Sequence, residues 1–269
     1  SAANSIVQNI TLYQFNNGVN IPGQTNITIL NSNISNNNAY GVFIDGGLRS
    51  TIKNNIINYN GINGIQSNSV SGTFIINNTI NNNSDIGVYF NSGFAPSSIQ
   101  NNTINNNANY GIYFYFDDNS NITDNILIRN TIGIYLELSS GSNSLLINNT
   151  LNNNKNYSLY INAGSGISFI NNQIQNTTKS IYDLSGGPNN LVYNNSNGSI
   201  RWIGNTNNLT IDGNFTFPGN INIGNNFAFV NTSAFTSNIN KSANITLYNL
   251  PTNFGNPAIF RDGSACSAG

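Results

Sequence analysis

The chain has 269 residues, of which 38% are hydrophobic and only 6% are charged, and its net charge is −1. This composition excludes the usual disordered chain, which combines low hydrophobicity with high net charge. The 8 lysines and arginines are scattered and form no cluster, which argues against the basic footprint of a nucleic-acid-binding protein. No apolar run approaches the roughly 20 residues of a spanning helix, so we expect no membrane insertion by this segment.

The first residues predict an irregular N-terminal coil, which we place at residues 1–25. Apolar and polar residues alternate with the period of a β-strand in Asn9–Tyr13, and again in Asn26–Leu30. Pro22 and Gly23 lie between these two stretches and are typical of a turn.

A repeat with a period of 23 or 24 residues follows. One of its positions is almost always asparagine, with a single carboxylate in the series; it is held by Asn31, Asn54, Asn77, Asn101, Asp124, Asn148, Asn171 and Asn194. A fixed period of this length indicates stacked structural repeats, in which each unit contacts only its neighbours. We therefore predict one elongated solenoid over residues 26–198.

Two apolar columns of the repeat predict strands that face a common core. The first column is Ile29, Ile52, Ile75, Ile99, Ile122, Leu146, Phe169 and Val192. The second column is Ile34, Ile57, Ile80, Ile104, Leu127, Leu151 and Ile174. Each repeat then offers a further alternating strand that begins with glycine, as in Gly87–Phe90. The sequence thus predicts three strands per coil.

Three polar columns predict the corners of the coils. The two asparagine columns are Asn55, Asn78, Asn102, Asn125, Asn149, Asn172 and Asn195, and then Asn37, Asn60, Asn83, Asn107, Asn130 and Asn154. Amides stacked at the strand spacing of about 4.8 Å can hydrogen-bond in a ladder, and asparagine also tolerates the left-handed backbone of a sharp corner. A third, tight corner is predicted at the small hydroxyl residues Ser50, Thr73, Ser97, Ser120 and Ser144.

The recurring pattern Ile-x-Asn-Asn-x-Ile-x-x-Asn, followed by Gly-Ile-Tyr, resembles the right-handed parallel β-helix repeats of the pectate-lyase-like superfamily. It is similar in particular to the Asn-rich repeats of NosD-like periplasmic and archaeal surface proteins. The resemblance covers about residues 26–196 and implies an all-β, right-handed parallel β-helix. It implies no single function, because the same repeat serves lyases, hydrolases, adhesins and phage spikes.

The columns end after Asn195, and Ser196–Ser199 followed by Trp202 marks a boundary. The segment 199–269 retains short strand-like units, so we expect irregular β coils or a small β extension packed on the last regular coil. One of these units, Asn244–Tyr248, repeats Asn9–Tyr13 letter for letter.

Candidate catalytic groups are few, because the chain contains no histidine. The best constellation for acid–base or calcium-assisted cleavage of a polysaccharide is Asp117, Asp118, Asp124 and Arg129, in two neighbouring coils. The alternative, which we favour, is that Asp117 and Asp118 belong to an exposed turn. Asp45, Glu137 and Asp183 follow strands in other coils and are expected to be solvated corners. We therefore predict no catalytic residue, no metal site and no cofactor.

Aromatic residues form a column on the glycine-started strand, with two members one place early; it consists of Phe43, Tyr89, Tyr113, Tyr135, Tyr160 and Tyr182. If the five tyrosines face outward, their rings could bind carbohydrate. The other interpretation is that tyrosine is a favoured strand residue whose neighbours stack within the sheet. Candidate N-glycosylation sites are Asn9, Asn121, Asn208, Asn214 and Asn244.

The function that we predict depends on the two ends of the solenoid. No capping helix is evident, and unprotected strand edges recruit other chains. We therefore expect a non-enzymatic, extracellular structural or adhesive β-helix that assembles end to end or forms part of a larger surface protein. The alternative is a polysaccharide-binding or polysaccharide-cleaving protein. The single cysteine, Cys266, excludes an internal disulfide and is either an inert thiol or bonded to a partner beyond these residues.

Overall fold

The computed structural model describes residues 4–69, 72–91, 96–202, 209–235, 239, 242–250, 260–261 and 264–265. Within them, eight successive coils contribute three strands each. In chain order, these are β1 (Ile6–Gln8), β2 (Thr11–Leu12), β3 (Val19–Pro22), β4 (Thr28–Leu30), β5 (Asn33–Ser35), β6 (Val42–Asp45), β7 (Thr51–Lys53), β8 (Ile56–Asn58), β9 (Ile65–Asn68), β10 (Phe74–Ile76), β11 (Thr79–Asn81), β12 (Val88–Asn91), β13 (Ser98–Gln100), β14 (Thr103–Asn105), β15 (Tyr110–Tyr115), β16 (Asn121–Thr123), β17 (Ile126–Ile128), β18 (Ile132–Glu137), β19 (Leu145–Ile147), β20 (Thr150–Asn152), β21 (Tyr157–Ala163), β22 (Ser168–Ile170), β23 (Gln173–Gln175) and β24 (Lys179–Asp183).

The remaining elements follow the eighth coil. They are β25 (Asn190–Asn195), β26 (Gly198–Trp202), β27 (Leu209–Ile211), β28 (Ile221–Gly224), β29 (Phe227–Val230), a 3₁₀ turn (Thr232–Ala234), β30 (Ala243–Leu247), β31 (Phe260–Arg261) and β32 (Ser264–Ala265). None of the helical segments in the described ranges has the length and apolar character needed to span a membrane.

Three parallel sheets run along the solenoid, one through each side of the coils. Sheet A joins the first strand of every coil, from β1 to β22, and continues to β25; sheet B joins the second strands, from β2 to β23; sheet C joins the third strands, from β3 to β24. Equivalent residues of successive coils are paired, so that Ile75 lies between Ile52 and Ile99. The predicted all-β parallel β-helix with three strands per coil is confirmed.

The core is filled by the predicted apolar columns, with one exception. Ile52, Ile75 and Ile80 are completely buried, and each contributes about 1.5–3 kcal/mol relative to an exposed side chain. The prediction for Val192 is wrong, because Leu191 pairs with Phe169 and occupies the core position. The last step of this column therefore spans 22 residues, one fewer than the repeat predicts, and Val192 lies only partly buried.

At two of the three corners, two adjacent residues have different roles. The first residue of each pair is left-handed; at the corner between sheets A and B, the positive φ angles lie between 50° and 56°, at Asn31, Asn54, Asn77, Asn101, Asp124, Asn148 and Asn171. At the corner between sheets B and C, the left-handed residues are Asn36, Tyr59, Asn82, Asn106, Arg129, Asn153 and Asn176. The second residue of each pair is the buried ladder asparagine, except at Ser32, which follows Asn31, and at Thr177, which follows Asn176. The left-handed backbone thus belongs to the residue before the ladder, and not to the ladder asparagine itself.

The buried amides form the predicted ladders. The Oδ1 atom of Asn102 accepts the backbone N–H of Asn78 at 2.8 Å and its Nδ2 at 3.0 Å. The Nδ2 of Asn102 in turn donates to the carbonyl oxygens of Ile75 (2.8 Å) and Gln100 (3.0 Å) and to Oδ1 of Asn125 (3.0 Å). The same pattern links Asn55 through Asn172 at one corner, and Asn37 through Asn154 at the other.

The first ladder ends one coil earlier than predicted. Asn195 is exposed, and its Nδ2 donates to the carbonyl oxygen of Ile223. The buried hydroxyl of Tyr193 instead donates to the carbonyl oxygen of Asn172. At the third corner the predicted hydroxyl column is buried, and the Oγ of Ser120 accepts the N–H of Ser97 at 3.0 Å.

The C-terminal side of the solenoid is covered by antiparallel segments of the same chain. In sheet A, β26 pairs antiparallel with β25, and β30 pairs antiparallel with β26. In sheet C, β27 pairs antiparallel with β24, and beside sheet B, Phe215 forms an antiparallel bridge with Ile174. The repeat pattern does not encode these non-repeating pairings, and within the described residues β30 is the edge strand of sheet A at this end.

Replacing a ladder asparagine should destabilise the fold strongly. Asn102→Ala leaves several buried groups without partners, at about 1–3 kcal/mol each, so the free energy of unfolding should fall by about 3 kcal/mol or more. The matched control is Asn101→Gly, which changes an exposed residue with a φ of 55° to one that adopts this conformation freely. Chemical denaturation of both variants measures the difference; equal effects would contradict the role of the ladder.

Candidate functional site

The outer face of sheet C carries aromatic side chains, and an interruption of strand alternation adds further tyrosines to those that alternation alone places there. In β15, Gly111 and Ile112 are both buried, so Tyr110 lies on the same outer face as Tyr113 and Tyr115. A Cβ atom on Gly111 would lie 2.6 Å from the carbonyl oxygen of Gly133 in the next coil, which leaves no room for a side chain.

We call the resulting surface the tyrosine wall. It contains eight of the 13 tyrosines: Tyr89, Tyr110, Tyr113, Tyr115, Tyr135, Tyr157, Tyr160 and Tyr182. The predicted column is in register, including Tyr135 and Tyr182, whose early positions in the sequence are absorbed before their strands. Phe43 belongs to the same column but is separated from Tyr89 by Gln66.

Sequence reasoning missed Tyr110, Tyr115 and Tyr157 as members of this surface. Strict alternation assigns Tyr110 and Tyr113 to opposite faces, because they are three residues apart. The buried Gly-Ile pair between them reverses this assignment, and Ser158 and Leu159 do the same between Tyr157 and Tyr160. The column of small residues before the apolar residue is the sequence signal that could have revealed the interruption.

The rings of the wall pack on one another along the solenoid axis. Successive ring centroids are 4.9 Å apart for Tyr89 and Tyr113, 4.7 Å for Tyr113 and Tyr135, 4.9 Å for Tyr135 and Tyr160, and 5.0 Å for Tyr160 and Tyr182. The interplanar angles range from 21° to 78°, so stacked and edge-on contacts alternate. Part of every ring is covered by its neighbour, and all eight side chains are partly buried. The wall therefore exposes a mixture of ring surface and hydroxyl groups.

Burial raises the pKa of five wall phenols. It raises the pKa of Tyr135 to about 12, with a further contribution from the charge of Glu137. The pKa of Tyr113 is also raised, first by burial and then by Glu137, whose Oε2 accepts the Tyr113 hydroxyl at 3.2 Å. The pKa values of Tyr89, Tyr110 and Tyr160 are raised mainly by burial as well. These five phenols thus offer neutral hydroxyls that can both donate and accept hydrogen bonds.

Three charged side chains lie near the wall, one of which, Asp85, helps to raise the pKa of Tyr110. Lys179 lies at its C-terminal side, with Nζ 5.1 Å from the ring centroid of Tyr182 and 5.6 Å from that of Tyr157. At these distances the ammonium group is attracted to the electron-rich ring faces. Glu137, which pairs with Tyr115, lies beside the middle of the wall. Most of the surface between these two groups is uncharged.

The structure does not bring the four candidate catalytic residues together. Asp124 and Arg129 are exposed, and they occupy the two different left-handed corners of one coil. Asp117 and Asp118 lie at the third corner, after β15; the Asp118 carboxylate accepts the N–H of Ser139 at 2.9 Å. In the described parts of the chain, no three His, Cys, Asp or Glu residues form a group that could hold a metal ion.

Asp117 does not occupy the exposed turn that we favoured for it. Its side chain is fully buried, and its Oδ2 accepts the hydroxyl of Ser120 at 3.2 Å. Burial raises the pKa of Asp117 from 3.8 to about 7. A general acid for glycoside cleavage must face its substrate and a second carboxylate. Asp117 instead lies within the hydroxyl corner of the solenoid.

Of the three other acidic corners, Asp45 is exposed and Glu137 is partly buried, whereas Asp183 is buried. The prediction of a solvated Asp183 is therefore wrong. Its carboxylate accepts the N–H and the hydroxyl of Ser185 at 2.9 and 2.6 Å, and the Nδ2 of Asn189 at 2.9 Å. These hydrogen bonds close the last turn of sheet C.

Three of the predicted glycosylation sites, Asn9, Asn214 and Asn244, are exposed, and Asn121 is partly buried. Asn208 and Cys266 lie outside the described residues.

Comparison with known proteins identifies the repeat. The family described as "Right handed beta helix region" matches residues 17–174, which is more than half of the chain. None of the curated proteins compared matches the sequence.

Two solved structures share a limited similarity with the chain. The periplasmic alginate epimerase AlgG is 18% identical with a TM-score of 0.42, and the match covers 64% of this chain and 47% of the epimerase. PfbA, a surface adhesin of Streptococcus pneumoniae, is 16% identical with a TM-score of 0.43, and the match covers 78% of this chain and 68% of the adhesin. The chain thus spans about half the length of the epimerase.

The buried carboxyl of Asp117 should make stability depend on pH. Its folded pKa of about 7 lies above the ordinary value of 3.8. The stabilisation linked to the bound proton is therefore complete below the ordinary pKa and is lost as the pH rises through about 7. We expect Tm to fall between pH 5 and pH 8, and Asp117→Asn to remove most of this fall.

Thermal denaturation at the two pH values checks this expectation, with Asp124→Asn, at an exposed corner, as the control. If Asp117→Asn retains the full pH dependence of the native protein, the carboxyl of Asp117 is not its source.

Proposed function

The chain belongs to the right-handed β-helix family, and we propose that within it this protein is a non-catalytic, extracellular adhesive module that binds polysaccharide along its tyrosine wall. The wall is the observation that supports the proposal. It is a row of outward-facing aromatic side chains held at a regular spacing by a rigid solenoid, as required to bind an extended polymer.

The shape of the wall suits a chain that lies along the solenoid axis. Tyr89, Tyr113, Tyr135, Tyr160 and Tyr182 follow one another in steps of 4.7 to 5.0 Å. Sugar rings present C–H surface and hydroxyl groups side by side, and tyrosine offers an apolar ring with a polar tip. Because the ring faces are partly covered by neighbouring rings, binding depends on exposed ring edges and phenol hydroxyls together.

The charge of the wall favours a neutral polysaccharide. Burial raises the pKa of five of its phenols, and its bordering charges, Lys179, Glu137 and Asp85, include both signs. A strongly anionic polymer would require a row of cations, which the outer face of sheet C lacks within the described residues. A neutral polysaccharide can bind without such a row of cations.

In this proposal the protein binds the polysaccharide and does not cleave it. The acidic residues named as candidates occupy separate corners, and Asp117 is buried. The extracellular location is supported by exposed asparagines in N-glycosylation sequences, such as Asn9 and Asn244.

Affinity electrophoresis in gels that contain neutral or acidic polysaccharides tests the proposal. We expect retardation by a neutral polysaccharide, weakened about two- to tenfold in Tyr113→Ala and in Tyr135→Ala, because an aromatic contact contributes about 0.5–1.5 kcal/mol. Tyr113→Phe separates the hydroxyl from the ring. The control is Tyr13→Ala, which removes a 58% exposed tyrosine that lies outside the wall.

Retardation that is equal in the wall variants and the native protein would place binding elsewhere on the chain. The same polysaccharides are incubated with the protein and assayed for new reducing ends and unsaturated products. Their appearance, and their loss in Asp117→Asn, would support the alternative function of polysaccharide cleavage and overturn the non-catalytic part of the proposal.

A further inference from the structure

The two edge strands of sheet A run in the same direction. Within the described residues, the sheet begins at β1, whose single neighbour is β4, and ends at β30, whose single neighbour is β26. Two successive antiparallel pairings, of β26 with β25 and of β30 with β26, reverse the direction twice. β30 therefore points the same way as β1, and a translated second copy could continue the sheet in parallel.

Sheets B and C do not offer this continuity. Sheet C ends at β27, which runs antiparallel to the other strands, so it does not match the direction of β3 at the opposite edge. Sheet B ends at β23, which is bridged antiparallel by Phe215. Sheet A is thus the side of the solenoid where two copies can form the same parallel pairing that joins the coils.

Backbone groups at the two edges are correctly oriented for this pairing. The carbonyl oxygen of Ser5 accepts the N–H of Thr28, and the N–H of Asn9 donates to Leu30. Successive residues of a strand point their backbone N–H and C=O groups to alternate sides of the strand. The N–H and C=O groups of Ile6 and Gln8 therefore point away from β4.

The same rule applies to β30. The N–H of Tyr248 donates to the carbonyl oxygen of Asn197, on the side of β26. The backbone N–H and C=O groups of Ala243, Ile245 and Leu247 therefore point away from β26 and towards the outer edge of the sheet.

Side-chain faces specify one register. Val7 pairs with the buried Ile29, and Ile245 pairs with the buried Ile200, so Val7 and Ile245 both lie on the core face of the sheet. Placing Val7 of a second copy opposite Ile245 continues that face. The same register lets Ile245 exchange two hydrogen bonds with Ile6 and Gln8 of the second copy.

Both edges are apolar and lack protective charges. Natural edge strands are usually blunted by lysine, proline or a bulge. Residues 1–44 contain no Asp, Glu, Lys or Arg, and β30 contains none either. Ile6 is 62% exposed and Ile245 is 57% exposed. Phe229, in the strand β29 that contacts β30, is 49% exposed.

We propose that the chain stacks head to tail with a second copy of itself, with β30 of one copy pairing in parallel with β1 of the next. Such an interface is heterologous, because it uses two different surfaces, and repetition produces an open linear assembly. This proposal is independent of carbohydrate binding, because the tyrosine wall lies on sheet C and the contact lies on sheet A.

Sedimentation velocity over a range of concentrations tests the stacking. The native chain is expected to show a sedimentation coefficient that rises with concentration, whereas Ile6→Lys and Ile245→Lys are each expected to remain monomeric. Mixing the two variants should restore a dimer and nothing larger, because one intact edge remains on each molecule. Ile56→Lys, on an exposed mid-solenoid position that is 47% exposed, is the control and should assemble like the native chain.

A native chain that is monomeric at every concentration would overturn the proposal. Dimers of Ile245→Lys alone, or of Ile6→Lys alone, would show that two like ends pair. Circular dichroism confirms that each variant is folded. Should the lysine variants fail to fold, a disulfide test replaces them.

The disulfide test uses Gln8→Cys and Thr246→Cys, each combined with Cys266→Ser. The proposed register places these two exposed residues opposite each other, within the Cα separation of about 4.4–6.8 Å that a disulfide requires. A mixed disulfide between the two variants is the expected product. Cross-linking that is no faster than in a mixture of Thr246→Cys with Asn58→Cys, on the central strand β8, would contradict the register.

Discussion

The stacking of buried asparagine amides along the solenoid is the interaction on which the rest of the structure depends. A primary amide carries both donors and an acceptor, so a column of identical residues can satisfy itself from coil to coil. Asn102 does so by accepting from Asn78 while it donates to Asn125 and to two carbonyl oxygens. A serine at this position, such as Ser32 in the second coil, has one side-chain donor instead of two, and a carboxylate has none. Each coil is thereby held in register with its neighbours at both corners, where a parallel sheet alone would permit slippage.

This register determines the properties of the outer surface. Because equivalent residues lie directly above one another, the tyrosines of sheet C are spaced by the strand separation of about 4.8 Å. Rings at this spacing contact each other, and burial raises the pKa values of Tyr113 and Tyr135 in the middle of the row. The binding surface that we propose therefore depends on the asparagine ladders at the corners, which set this register. Within the described residues, sheet A also has an edge strand at each end, β1 in the first coil and the non-repeating β30 at the other, and the stacking that we propose uses these two edges.

The features that repeat could be predicted from the sequence, and the features that do not repeat could not. The burial of Ile75 and the amide ladder at Asn78 follow from columns that recur in every coil. The prediction that Val192 lies in the core was wrong because the last coil is one residue shorter than the period. Tyr110 was missed as a member of the tyrosine wall because the buried glycine beside it interrupts strand alternation. The pairing of Phe215 with Ile174 closes sheet B through a contact that occurs once in the chain. No pattern in the repeat encodes such a contact, and the same holds for the burial of Asp117.

Hydrogen–deuterium exchange of the ladder amides tests this account most directly. The backbone N–H groups of Asn55, Asn78, Asn102 and Asn125 each donate to the Oδ1 of the asparagine one coil further along. We expect these corner amides to exchange as slowly as the amides of the core strands, through global unfolding alone. Exchange as fast as that of ordinary exposed turns would contradict the account, because the ladders would then not hold the coils in register.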